Sequence, residues 1–86
     1  MPPRTQRQRS AARKRQDKID YQNCMERENW ICQRCGAPAN QHHHGKRKHA
    51  HVRHDPRWHY ALCFDCHDWS HKNVAAWYEF MENNPN

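Results

Sequence analysis

Long apolar runs are missing from this chain. No stretch of six consecutive apolar residues occurs in its 86 residues, and hydrophobic types make up only 35%. Mean hydropathy is −1.51. A membrane-spanning helix needs roughly 20 apolar residues, and a secretory leader needs a shorter apolar centre. Neither is expected here, so the expected compartment is the cytoplasm. Acidic residues are also scarce, nine against 15 Lys and Arg, which leaves a net charge of +6. A basic surplus points to an anionic partner, nucleic acid before lipid, because no basic amphipathic helix with bulky apolar residues is present. A chain this short and this polar makes one thin domain whose core needs a metal, disulfides or a second copy.

Cysteine is what the composition supplies instead. Cys32 and Cys35 stand at C-x2-C spacing, Cys63 and Cys66 repeat it, and Cys24 stands apart. In a reducing compartment paired knuckles favour zinc over disulfides. Two such pairs fill a tetrahedral structural site. Gly36 and Pro38 mark a tight turn after the first pair. Cys24 reads as a small buried apolar residue.

Residues 1–18 carry seven Lys or Arg against one acid and lack Ile, Leu, Val and aromatics. They read as a basic flexible arm or a polar helix with nothing to bury, in which Arg13, Lys14 and Arg15 contact phosphates, or simply as a solubilising tail. A short helix over Asp17–Asn29 follows, its weak face given by Ile19, Asn23, Met25, Arg27 and Trp30. Residues 39–44 and His59–Cys63 read as two strands. The connection 45–58 carries Lys46, Arg47, Lys48, Arg53 and Arg57 against Asp55, a basic set expected to hold a DNA backbone. A helix is expected over Asp65–Asn83, with Val74, Trp77, Tyr78 and Met81 as its apolar stripe. The domain is expected to span 19–83, with 84–86 as a tail.

Four thiolates satisfy one ion, so the nearby histidines are left over. His67 and His71, at i and i+4, share a helix face and can chelate together. Taken alone they read as exposed polar residues, but the triplet His42-His43-His44 lies on the strand that the knuckles bring close. Imidazoles with open coordination positions suit a catalytic divalent ion.

The segments ENWICQRCGAPANQHHH (28–44) and DPRWHYALCFDCHDWSH (55–71) together resemble the HNH endonucleases, or ββα-metal nucleases. The resemblance covers about half of the chain. It implies an α+β fold, a small ββα-metal finger stapled by a four-cysteine zinc site and flanked by helices. It also implies a metal-dependent DNA endonuclease that hydrolyses phosphodiester bonds, of the kind common in phages and mobile elements. Cys32, Cys35, Cys63 and Cys66 match the structural zinc ligands. His43, His67 and His71 match the ligands of the catalytic ion, Mg2+, Mn2+, Ni2+ or Zn2+, and His44 matches the general base. A register one residue earlier, with His42 as ligand and His43 as base, stays open.

Trp58 stands where the family has an Asn that pins the loop and orients the base, and the adjacent His59 is the candidate substitute. The alternative reading is therefore a weak or inactive zinc-knuckle DNA-binding protein of the same fold. Trp58 and Trp69 are candidates to stack on a base or simply to pack on the surface. DNA is the expected partner. No membrane is expected, and the chain would act as a monomer or weak dimer, or within a larger nucleoprotein assembly.

Overall fold

The computed structural model describes residues 6–44 and 53–86, with side chains from residue 10 onward. Helix α1 (Gln6–Arg27) leads into the first cysteine knuckle. Strand β1 (Gln41–His44) and strand β2 (His59–Leu62) pair antiparallel, and helices α2 (Phe64–Lys72) and α3 (Val74–Asn83) follow. The protein is thus a small α+β fold of three helices and a two-stranded sheet. No helix among the described residues is long and apolar enough to cross a membrane.

Helix α1 starts 11 residues before the helix expected from Asp17. No Gly or Pro interrupts Gln6–Arg27, and bonds from Gln16 to Asp20 and from Gln22 to Glu26 link successive turns. The basic segment from Gln6 is therefore the first half of α1, which runs unbroken through residues 18 and 19. The buried face is Asp20, Cys24 and Met25. Of the face expected from sequence only Met25 is buried, while Ile19 and Trp30 stay exposed. The helix ends at Arg27, two residues early, because Asn29 (φ 56°) and Trp30 (φ 58°) turn left-handed. The Trp30 amide closes the end by donating to the Met25 carbonyl at 2.8 Å.

The single C-terminal helix expected over Asp65–Asn83 is broken at Asn73. Its amide and its side-chain Nδ2 both donate to the Trp69 carbonyl, at 2.9 and 3.1 Å, which stops α2. With the turn re-aimed, Trp77 and Met81 reach the core, whereas Val74 and Tyr78 remain exposed.

Strand alternation gives the sheet two different faces. In the observed register His43 pairs with Tyr60 and His44 with His59. Gln41, His43, Tyr60 and Leu62 therefore point one way, where Tyr60 and His43 meet Trp77. His42, His44, His59 and Ala61 point the other way, where His42 meets Tyr21 of α1. All four residues of β2 are buried, because this strand lies between the two helical layers.

Candidate metal centres

The four knuckle cysteines converge. An isolated bridge between Ile31 and Pro38 closes the first knuckle, inside which the Cys32 amide donates to the Ala37 carbonyl at 2.7 Å. The turn requires Gly36 at φ 81°. Cys63 caps α2, its Sγ accepting from the Cys66 amide at 3.4 Å. One sulfur from each of Cys32, Cys35, Cys63 and Cys66 lies within 4.8 Å of the others, and Cys35 and Cys63 are 3.6 Å apart. Zinc–sulfur bonds of about 2.3 Å in a tetrahedron put sulfurs about 3.8 Å apart, so this donor set fits a four-thiolate ion.

The surroundings act on the thiols in opposite directions. Burial opposes charge on Cys32, but amides of Cys35, Cys63 and Arg34 favour its thiolate and bring it down to about 7. Burial pushes Cys66 up to about 12. The Arg34 guanidinium stands 3.6 Å above the Trp69 ring and donates to the Cys66 sulfur at 3.4 Å. That contact occupies one face of Trp69. Cys24 is buried outside the cluster, and burial raises its thiol to about 11, as expected of an apolar packing residue.

The histidine triplet is divided by the sheet. His43 is buried and faces α2, where one ring nitrogen from each of His43, His67 and His71 lies within 4.8 Å of the others. The Nε2 atoms of His67 and His71 are 3.2 Å apart, close to the ~3.3 Å expected of two imidazoles on one tetrahedral ion. His43 Nδ1 is 2.8 Å from the His44 carbonyl. Donating there fixes the tautomer and leaves Nε2 as the ligand atom. Trp77 backs the His43 ring at 4.4 Å. Burial holds His43 down to about 4, so it is neutral and ready to ligate at neutral pH. His71 is exposed, which leaves the triad open to solvent.

His44 does not join that triad. Its ring lies on the α1 face, 4.7 Å from His42 and 5.2 Å from His59. His59 is buried, and its Nε2 is 2.8 Å from the Arg53 carbonyl. Alternation along three adjacent strand histidines was the signal for this division, and the grouping of His42 with His59 was the part missed.

The segment around Trp58 is held without the family Asn. Arg27 donates to the carbonyls of Pro56 (2.9 Å) and His59 (2.5 Å), and Asn86 donates to those of Arg57 (3.2 Å) and His59 (2.9 Å). The residues expected to form a tail therefore include one of these pins. Trp58 itself lines a hollow of about 440 Å3 with Tyr78 and Met81.

The candidate phosphate-binding residues are spread out. Arg13, Lys14 and Arg15 are exposed on α1. Arg53 pairs with Asp17, whose carboxyl it holds below the usual range, and Arg57 pairs with Asp55 at 2.7 Å. Lys46, Arg47 and Lys48 lie outside the described residues. Comparison of the chain with protein-family models, curated proteins and solved structures gave no match.

Proposed function

We propose that the chain is a metal-dependent DNA endonuclease of the HNH (ββα-metal) type, with zinc on the four cysteines as its structural ion. One observation carries this reading. The strand histidine His43 meets the helical pair His67 and His71 beside a four-thiol cluster at the start of α2. An ion on these imidazoles supplies Lewis-acid stabilisation of charge developing on phosphate oxygens. His43 is held in its ligating tautomer by the His44 carbonyl, and Trp77 shields it from water. Exposed His71 leaves room for the scissile phosphate. Exposed Arg13, Lys14 and Arg15 of α1 would supply sequence-independent affinity.

In the hydrolysis itself, water oxygen would attack phosphorus, the bond to the 3′-oxygen would break, the water proton would pass to an imidazole, and the leaving 3′-oxygen would take a proton from solvent. Under the family pattern that imidazole is His44, and an imidazole suits the role because its ordinary pKa lies near neutrality.

A second reading, a zinc-knuckle DNA-binding protein without cleavage, is favoured by the position of the His44 ring on the face away from the triad. Plasmid cleavage across Mg2+, Mn2+, Ni2+ and Zn2+ with a chelator control separates the two. The endonuclease reading expects divalent-dependent nicks or breaks that His67→Ala loses, with partial rescue at high ion concentration. It also expects His44→Ala to cut roughly 10²–10⁴-fold more slowly while binding DNA normally. Cleavage by no ion on any DNA form would overturn it in favour of the binding protein.

A further inference from the structure

We infer that His42, His44 and His59 form a separate transition-metal site on the α1 face of the sheet, taking an ion that prefers imidazole, such as Zn2+ or Ni2+. The site is built by the register. His42 and His44 are two apart on β1, and His59 is the cross-strand partner of His44, so all three rings share one face. Ring centroids stand 4.6, 4.7 and 5.2 Å apart, and one nitrogen from each lies within 4.8 Å of the others. A modest inward rotation of the rings brings them to a common ion.

Two details favour a ligand over mutual packing. His59 Nε2 donates to the Arg53 carbonyl, which fixes the tautomer and turns the lone pair of Nδ1 outward, the arrangement usual behind a metal-bound imidazole. His42 Nε2 is buried and has no hydrogen-bond partner among the described residues. Leaving such an atom unsatisfied is costly, and coordination would satisfy it. Backbone of β1 separates this cluster from the His43 triad, so the two sites load independently.

The inference does not rest on the nuclease reading, since its test reads binding alone. Full-length protein with its cysteine site loaded and its histidines labelled with 15N is titrated with Zn2+, and the ring nitrogens are followed by NMR. The expected result is that His42, His44 and His59 shift together to metal-bound values. They should do so in His67→Ala as well, where the triad is lost. His42→Gln should weaken this event at least tenfold and leave the His43, His67 and His71 shifts in place. Cobalt absorption at the thiolate site and far-UV circular dichroism report folding of each variant. If either variant fails to fold, the wild-type ring signals decide alone. Shifts confined to His43, His67 and His71, with His42 and His59 unmoved at saturating Zn2+, would overturn the assignment.

Discussion

Replacing Trp77 with Ala removes the largest side chain between the core and the His43 triad. Trp77 is 2% exposed, stacks on His43 at 4.4 Å and on Phe80 at 5.4 Å, and meets Tyr60 edge-on at 5.2 Å. A buried Trp hides about 150–250 Å2, worth about 4–6 kcal/mol at ~25 cal/mol per Å2. Alanine retains part of this, so the expected loss is about 3–5 kcal/mol. A domain of this size has only about 5–15 kcal/mol in all, and each kilocalorie shifts Tm by roughly 4–8 °C. The variant should melt at least about 12 °C lower. Trp77→Phe keeps one ring against His43 and should cost about 1–2 kcal/mol. Urea titration followed by far-UV circular dichroism, with the cysteine site loaded, measures both. A loss below about 1 kcal/mol for Trp77→Ala would refute the packing argument. Equal losses for the two variants would refute the role given to the ring stacked on His43.

The purified protein should carry one tightly held zinc, and Cys63→Ser should lose it and unfold the segment from the first knuckle to α3, because such a small core does not stand alone. Elemental analysis and circular dichroism check this. With the histidine sites empty, stability should fall as pH drops from about 6.5 towards 4. Burial depresses His43 to about 4 and His42 to about 3, so over that window the unfolded chain takes up protons that the folded one refuses. The limiting slope is at most about 1.4 kcal/mol per pH unit for each histidine, and denaturation midpoints across pH read it. Deleting residues 1–16 removes exposed Arg13, Lys14 and Arg15 and should flatten the salt dependence of DNA binding equally on unrelated sequences. If the endonuclease reading holds, excess Zn2+ should inhibit cleavage by engaging His44, and His42→Gln should relieve that inhibition.

Features with local causes were legible in the sequence. Ligand spacing within a knuckle is local, so the pairs at Cys32–Cys35 and Cys63–Cys66, the turn at Gly36 and both strands could be read directly. Cys24 was recognisable as packing because no partner stood at ligand spacing. What stayed hidden depends on distant contacts or on signals without a period. The first half of α1 has helix-forming residues but no apolar face, so periodicity was silent there. The stop at Asn73 lies in one side chain turning back on Trp69. The pins on the Trp58 segment come from Arg27 and Asn86, 31 residues before and 28 after it. In the candidate site, His67 and His71 could be paired from their i, i+4 spacing. The company His44 keeps required the register of β1 against β2.

The continuity from β2 through Cys63 into α2 has a consequence for the order of assembly. Cys63 Sγ is both a donor of the cysteine cluster and the cap of the helix that carries His67 and His71. Whatever occupies the thiols thereby stiffens the first turn of α2 and sets the aim of both imidazoles. If both centres take ions, their occupancies would be thermodynamically linked, and reciprocally so. An oxidant or chelator that strips the cysteines would lower the affinity of histidines it never touches. Under the two-ion reading, an ion on the thiols would favour the second ion by closing the chain between Cys35 and Cys63.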